Sequence, residues 1–291
     1  MTRHRLALPD RLESSRVRKL VDCARALVTL DDVEVDASSV LFAEPFGLVM
    51  LGAAVLRRLD VGLPIPGYVG PQRDEPRKFL EEIGFDQLMT TGVSTADSGT
   101  LPIRRLSANS LNPAYMHEVA QLVERLVPGT SESVTYLVEM ALKELVQNVV
   151  EHSGSATDAV VLTRWYRQHE NVRIAIADSG IGLARSVRRN PKYAAIEDDR
   201  ILVRYAATVE GTTGRVGARF GGLGLKHLHQ LCILRGGGLH VISRTVDASY
   251  TARDSREAFV PRLDGTVVEI DFRPRPDQGS RAEQTNEEEF F

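Results

Sequence analysis

Residues 141–152 read Ala-Leu-Lys-Glu-Leu-Val-Gln-Asn-Val-Val-Glu-His, a stretch in which three polar side chains recur at intervals of four. Because an α-helix turns by ~100° per residue, Glu144, Asn148 and His152 would form one stripe along its surface. Apolar residues follow on one side of the stripe and charged residues on the other. The pattern predicts a helix whose carboxylate, amide and imidazole groups line the floor of a cleft. Taken alone, it is also typical of an amphipathic helix with polar residues along its edge.

The composition is that of an ordinary globular protein. At 291 residues the chain is long enough for about two domains, and its 43% hydrophobic and 26% charged residues are average values. The formal net charge of −3 provides no electrostatic basis for binding nucleic acid. The two cysteines form neither a disulfide framework nor a zinc pattern, and residues 1–15 lack the apolar segment of a signal peptide. We therefore expect a cytoplasmic protein without a membrane span.

The first 92 residues alternate between strand-like and helix-like patterns. Strands are predicted at residues 5–8, 33–36 and 63–68, and helices at residues 14–27, 45–59 and 75–83. The second of these helices is predicted to bury one stripe, formed by Leu48, Leu51, Ala54 and Val55. This alternation predicts a small α/β domain over residues 1–92.

One loop in this segment resembles a known domain family. The loop Glu44-Pro45-Phe46-Gly47 before a helix, and the ending Phe79-Leu80 followed by Gly84-Phe85, resemble a STAS domain, the fold of anti-anti-sigma factors. In the phosphorylatable members of that family the loop reads Asp-Ser-Ser-Gly, with a serine as the phosphate acceptor. The loop has no hydroxyl here, so the resemblance implies a structural or partner-binding role in place of phosphorylation.

A second domain is predicted over residues 112–273. Residues 93–111 are expected to form a linker, because Ser, Thr, Gly and Asp dominate its first part. Helices are predicted at residues 112–126, 130–152, 201–206 and 224–234, and strands at residues 159–166, 172–178, 238–244 and 265–272. Residues 274–291 have no core-forming pattern and are expected to be a disordered tail.

The strand predicted at residues 172–178 ends in the motif Asp178-Ser-Gly180-Ile-Gly182. A carboxylate at a strand end can accept a hydrogen bond from the exocyclic amine of adenine. The two glycines allow the backbone to turn tightly and to approach a flat base without an intervening side chain. Taken singly, this motif is more often only a turn.

A second glycine-rich segment, with Gly221, Gly222 and Gly224, leads into a predicted helix. A glycine-rich loop at a helix N-terminus presents free N–H groups and a positive dipole end to phosphates. Asn148 offers a neutral oxygen to Mg²⁺, which prefers oxygen ligands, and Glu144 could take a proton from an attacking water or hydroxyl. The sequence has no P-loop, and Gly222-x-Gly224 lacks the third glycine of a Rossmann turn.

Together the motifs resemble the GHKL superfamily, to which gyrase and the histidine kinases belong. Glu144, Asn148 and His152 match its N box, and residues 178–182 match its first glycine box. Gly222-Leu-Gly224-Leu matches the second glycine box, and Gly265-Thr266 before a strand matches the last motif. Four motifs in the family's order over residues 112–273 make this resemblance specific.

The resemblance implies a Bergerat-type ATP site in an α/β sandwich with helices on one face of a mixed sheet, and residues 211–219 as the ATP lid. ATP and Mg²⁺ are the implied cofactors, with Glu144 as the catalytic base and Asn148 as the Mg²⁺ ligand. The implied ATP contacts are Asn148, His152, Asp178, Gly180, Gly182, Gly221, Gly222, Leu223, Gly224, Leu225 and Thr266.

Three functions remain open from the sequence. The first is a regulatory ATPase whose nucleotide state switches the STAS-like domain or a protein partner. The second is a protein serine/threonine kinase of the anti-sigma type, acting on a separate STAS partner, and the third is an ATP-binding interaction module without catalysis. The family resemblance also implies a homodimer as one option, because many members dimerise. No nucleic-acid or membrane partner is expected.

Overall fold

Two sheets with different strand directions organise the chain. The computed structural model describes residues 3–93, 101–106, 113–126, 132–154, 158–209 and 224–274. Among these residues, seven strands form one sheet, three form a second and two form a short ribbon. None of the described helices combines the length and the apolarity that a membrane crossing needs.

The amino-terminal unit alternates strands and helices, as its sequence predicted. Its elements are β1 (His4–Ala7), β2 (Arg11–Leu12), α1 (Val17–Thr29), β3 (Val33–Asp36), β4 (Phe42–Ala43), α2 (Pro45–Asp60), β5 (Gly67–Val69), α3 (Asp74–Glu82) and α4 (Phe85–Thr91). The strands β1, β3 and β5 lie in that order and pair in parallel. Parallel pairing requires crossover connections, which α1 and α2 provide.

Two details of this unit differ from the sequence expectation. The strand predicted at residues 63–68 is confined to β5, because Pro64 and Pro66 have no N–H group to donate to a ladder. Helix α4 was not predicted, since it has only seven residues. The glycines that flank it, Gly84 and Gly92, have φ values of 75° and 71°, which set its sharp ends.

The second unit contains the large sheet. Its elements are β6 (Arg104–Leu106), α5 (Pro113–Leu126), α6 (Glu132–Asn148), β7 (Ala159–Tyr166), β8 (Asn171–Asp178), α7 (Leu183–Arg188), α8 (Asp199–Thr208), α9 (Gly224–Leu234), β9 (Gly238–Ser243), β10 (Val246–Thr251), β11 (Ser255–Phe259) and β12 (Thr266–Phe272). The strand order is β11-β10-β9-β12-β8-β7-β6. The predicted segments 211–219 and 221–223 and the tail from residue 275 lie outside the described residues.

The α/β sandwich that the sequence indicated is confirmed, with α5 to α9 packed on one face of the large sheet. In the described chain all six neighbouring pairs of this sheet are antiparallel. Parallel pairing is found in the amino-terminal sheet and in the ribbon of β2 and β4. The large sheet is therefore antiparallel and the amino-terminal sheet is parallel. The resemblance had implied that the large sheet would contain both kinds of pairing.

Strand β8 shows why this sheet is covered on both faces. Ile174 and Ile176 pack in the core beneath α5 to α9. Ala175 and Ala177, which alternate with them, pack in a second core with the amino-terminal unit. Because successive side chains of a strand point to opposite faces, a strand covered on both sides has apolar residues at consecutive positions, as β8 does from Ile174 to Ala177.

Helix α2 covers the second face of the sheet, contacting β7, β8 and β12. The single buried stripe predicted for this helix is wrong, because every residue from Pro45 to Leu56 is buried. The helix lies between the sheet and α1, so it has no solvent face along most of its length. The two units therefore share one hydrophobic core.

The chain between the units also contributes to the large sheet. Residues 104–106, in the segment expected to be a linker, form β6 and pair with β7. Leu101 and Ile103, just before this strand, are buried. The hairpin of β10 and β11 and the helix α7 were likewise absent from the sequence expectation, because their residues show no clear apolar period.

We predict that the face of the sheet beneath α2 contributes strongly to stability. Leu162 is 1% exposed on that face, so Leu162→Ala should lower the free energy of unfolding by about 2–5 kcal/mol. Leu234→Ala is the matched control, because Leu234 is 71% exposed and its truncation should cost less than about 0.5 kcal/mol. Urea denaturation measures both changes. Equal, small losses for the two variants would contradict the coverage of this face by the amino-terminal unit.

Candidate functional site

Helix α6 presents Glu144 and Asn148 one turn apart, both partly buried. A π-helical turn, Val149–Ser153, follows and ends at Gly154, whose φ is 57°. A π turn contains more residues than an α turn, so the angular spacing that predicted one stripe does not extend unchanged to residue 152. The side chain of His152 lies outside the described part of the structure, and its role stays a prediction.

The first glycine motif is fixed against the end of this helix. The Ile181 N–H donates to the carbonyl oxygen of Ser153 at 2.7 Å, and the Gly180 N–H donates to Oδ1 of Asp178 at 2.7 Å. A Cβ atom on Gly180 would overlap the Ser153 carbonyl. Only glycine therefore allows residues 178–182 to lie this close to the π turn.

The same motif is fixed from the other side by β9 and β12. Gly182 has a φ of 83° and leads into α7, whose Leu183 N–H donates to Oγ of Ser243 at 2.7 Å. Thr266 is paired with Asp178 in the sheet register. A Cβ atom on Gly265, whose φ is 93°, would overlap the Asp178 carbonyl. The first glycine motif and the last predicted motif, Gly265-Thr266, therefore lie at adjacent strand ends.

One small cavity, of about 20 Å³, brings several predicted residues together. Asn148, Asp178, Gly182, Leu225 and Thr266 all line it. Sequence reasoning missed the other lining residues, which are Leu145, Val149, Ser153, Ile176, Leu183, Ser186 and Val268. This volume is enough for about one water molecule, so a purine ring enters only if the surrounding segments separate.

Glu144, Gly180 and Gly224 lie beside this cavity without lining it. A Cβ atom on Gly224 would lie 3.3 Å from Oδ1 of Asn148 and 3.5 Å from Oε2 of Glu144. The first turn of α9 therefore faces the two polar residues of α6 at close range. Gly221, Gly222 and Leu223, which precede this turn, lie outside the described residues.

Burial controls the charge of the two acidic groups. It raises the pKa of Asp178 to about 7, although the Gly180 N–H favours the ionised form. Burial also raises the pKa of Glu144 above its ordinary value, against the opposing charges of His227 and Lys143. Both carboxyl groups are therefore stronger bases than exposed ones, as groups that exchange hydrogen bonds or protons with a ligand often are.

The donor set fits a magnesium nucleotide. Nδ2 of Asn148 is buried and has no hydrogen-bond partner among the described residues, so the amide is free to orient toward a ligand. Within the described ranges, no cluster of three or more His, Cys, Asp or Glu side chains is arranged to hold a metal ion. Mg²⁺ usually keeps several waters and binds through substrate phosphates, so one amide oxygen at its edge suits it.

Two serines that sequence reasoning missed take part through hydrogen bonds with backbone groups of distant segments. Ser153 acts through its backbone carbonyl, and Ser243 accepts from a backbone N–H across a distance of 60 residues in the chain. Neither role depends on a local pattern, so no sequence signal predicts it. The apolar lining residues Ile176 and Val268 follow the two-residue period of their strands, and a register between β8 and β12 would have placed them at the site.

Comparison with known proteins agrees with the geometry. The family model described as the histidine kinase-like ATPase domain matches residues 110–268, more than half of the chain. That match includes α5 to α9 and most of the large sheet, and it excludes the amino-terminal unit. No curated protein matches the chain.

We predict that Asp178 destabilises the folded protein as pH rises. Its pKa is about 7 in the folded state and about 3.9 in an unfolded chain. The folded state therefore holds the proton more tightly, and stability is lost as pH rises from about 4 to about 7. An asparagine does not titrate. The free energy of unfolding of Asp178→Asn minus that of the parent protein should therefore be larger at about pH 8 than at about pH 5. Thermal unfolding of both proteins at the two pH values measures this difference, and an unchanged difference would contradict the buried, protonated carboxyl.

Proposed function

The chain belongs to the histidine kinase-like ATPase family, and from this premise we propose that it is an ATP- and Mg²⁺-binding regulatory ATPase. Its nucleotide state would act on the amino-terminal unit or on a protein partner. The observation that carries this proposal is the cavity shared by Asn148, Asp178 and Thr266, residues from three separated segments. Family membership points to ATP, and the cavity supports the proposed position of the site by bringing these residues together.

Each residue has a defined task toward the nucleotide. The ionised Asp178 carboxylate accepts a hydrogen bond from the adenine amine, and Gly180 and Gly182 keep side chains away from the base. The N–H groups at the start of α9 face the phosphates. Asn148 would hold Mg²⁺ through its amide oxygen. When bound, the ion neutralises charge on the phosphate oxygens.

Glu144 is the proposed general base. Its partial burial raises the pKa of the carboxyl, which makes it a better proton acceptor than an exposed glutamate. It lies beside Asn148 and the first turn of α9, where the γ-phosphate would be bound. A purely structural ATP site has little use for a carboxylate next to phosphates, because like charges repel. This placement favours catalysis over the interaction module.

The amino-terminal unit is well placed to respond to the nucleotide. Oγ of Ser179, inside the first glycine motif, donates to the carbonyl of Ala53 in α2 at 3.4 Å. A nucleotide that moves residues 178–182 would therefore change a contact with α2. A switch of this kind requires different contacts in the two nucleotide states, and this hydrogen bond is the contact that we propose changes between them.

The STAS-like assignment of the amino-terminal unit is also a proposal. The parallel order β1-β3-β5 with intervening helices supports it. Residues 44–47, which match the STAS loop and lie at the start of α2, contact the large sheet: Glu44 pairs with Arg173 at 2.6 Å, and the Phe46 N–H donates to Oε2 of Glu269 at 3.0 Å. These buried contacts support a structural role for the loop.

A kinase is the second candidate, and the same loop limits its substrate. Glu44, Pro45, Phe46 and Gly47 are buried and carry no hydroxyl. A kinase of this type would therefore phosphorylate a separate protein. Incubation with γ-labelled ATP distinguishes the candidates: free labelled phosphate supports hydrolysis, whereas label on an added STAS protein supports phosphotransfer. Neither product, with ATP binding intact, would support the interaction module.

We predict that Glu144→Gln retains ATP binding and lowers turnover by at least ~10²-fold, the lower end for the loss of a positioned base. The amide has a similar shape and cannot accept the proton. Glu118→Gln is the control, because Glu118 is exposed on α5 and pairs with Arg104 at 3.6 Å. Phosphate release at saturating ATP measures turnover. Unchanged turnover in Glu144→Gln would exclude its role as the base.

We also predict that Asp178→Asn weakens ATP binding by about 10- to 100-fold, the value of a hydrogen bond to a charged group. Calorimetry at about pH 8.5 keeps Asp178 ionised in the parent protein, given a pKa of about 7. Glu269→Gln is the matched control. Glu269 is also a buried carboxyl near the site, but it lies on β12 and faces α2, not the cavity. Equal affinity in Asp178→Asn and the parent protein would exclude the contact with adenine.

A further inference from the structure

A second and larger cavity lies on the other side of Asp178. Its volume is about 240 Å³, and it opens where α1 and α2 meet the end of β8 and the loop before β12. Four alanines line it, and they are Ala24, Ala53, Ala54 and Ala177. Because a methyl group fills so little space, these four positions leave a void between helices that are otherwise close-packed.

The mouth of this cavity carries three arginines, Arg25, Arg57 and Arg262. Among the described residues, each has one carboxylate within 4.0 Å: Asp22 at 3.9 Å, Asp60 at 2.7 Å and Asp264 at 3.5 Å respectively. A guanidinium has five N–H donors, so one carboxylate accepts from only some of them. Nε of Arg57 is buried and has no hydrogen-bond partner in the described part of the chain.

The remaining walls are apolar, apart from a few polar groups at the edges. Val28, Met50, Leu263 and Val267 add to the alanines, and Thr29 and Asp264 lie among the lining residues. An apolar interior with guanidinium groups at one side is suited to a molecule with an apolar body and an anionic head. Neither a neutral hydrocarbon nor a bare inorganic anion would use both features.

The cavity also contacts the nucleotide motif. Asp178 lines both cavities, and Ser179 lines the larger one while its Oγ donates to Ala53. A ligand between α1 and α2 would therefore touch Asp178, the residue proposed to contact adenine. If one of these ligands changes the affinity for the other, linkage requires that the second changes the affinity for the first by the same factor.

We propose that this cavity binds a small oxyanion with an apolar body, a carboxylate or a phosphate monoester, and that its occupancy changes the affinity for ATP. The apolar body lies against Ala53 and Ala54, and the head group accepts hydrogen bonds from Arg57 and Arg262. The coupling rests on the proposed function, whereas the binding does not. The two parts are therefore tested separately.

Binding is tested on the full chain without nucleotide, by ligand-observed nuclear magnetic resonance. Phenylacetate and phenyl phosphate are the two probes, and benzyl alcohol is the uncharged comparison. One or both anions should bind saturably and tighter than benzyl alcohol, and the tighter probe identifies the head group. Equal binding of all three, or no binding, would overturn the proposal.

Two variants locate the probe in this cavity. Ala54→Leu fills the space and should abolish binding without lowering the melting temperature, which separates a blocked site from a misfolded protein. Arg57→Gln should weaken binding by about tenfold, through loss of a charged hydrogen bond. Arg77→Gln is the matched control, because Arg77 is an exposed helical arginine that pairs with Asp74 three residues away. Equal effects of Arg57→Gln and Arg77→Gln would contradict the site.

The chain's own last residues are an alternative occupant, because residues 287–291 read Glu-Glu-Glu-Phe-Phe and combine anionic and aromatic groups. If the probe binds only after Phe290→Ser and Phe291→Ser together, the cavity belongs to that segment and the proposal of a free ligand is overturned.

For the coupling, the dissociation constant of ATP is measured with and without saturating probe. A shift, matched by an equal shift in probe affinity with ATP, supports the coupling, and no shift contradicts it.

Discussion

The close approach of three backbone segments around Asp178 is the constraint on which the site depends. Gly180 lies against the Ser153 carbonyl and Gly265 lies against the Asp178 carbonyl, at distances that exclude any Cβ atom. This contact brings the end of β8, the start of β12 and the π turn after α6 to one place. Asn148 and Thr266 become neighbours of Asp178 as a consequence. The geometry of the proposed site is thus a result of glycine packing.

The sheet that carries this site is covered on both faces, which gives the amino-terminal unit a direct physical connection to the proposed nucleotide site. Alternate residues of β7 and β8 pack beneath α6 and beneath α2. The buried pair of Glu44 and Arg173 and the bond from Phe46 to Glu269 add polar contacts to this interface. Burial raises the pKa of Glu269 to about 8. Buried polar contacts of this kind depend on accurate geometry, so a small movement of α2 changes them.

The sequence predicted those features that arise from local spacing or from backbone chemistry. Glu144 and Asn148 could be recognised as neighbours because they are one helical turn apart, and residues 178–182 because carboxylate and glycines have chemical uses at a strand end. The burial of α2 on all sides could not be predicted, since it depends on a sheet more than 100 residues away. The π turn, the hydroxyl of Ser243 and the cavity near Ala54 likewise arise only from tertiary packing. Local rules identify the residues, and the packing determines what surrounds them.

The proposed function depends on one pocket, built from these segments, that binds ATP with Mg²⁺. Amide hydrogen exchange with and without the magnesium nucleotide tests it most directly, because exchange reports the location of binding as well as its occurrence. We expect slower exchange in three separate segments, residues 144–153, 178–183 and 224–228, with little change in the hairpin at residues 246–259, which does not line the cavity. Unchanged exchange in all three segments at saturating nucleotide, or protection confined to another part of the chain, would contradict it.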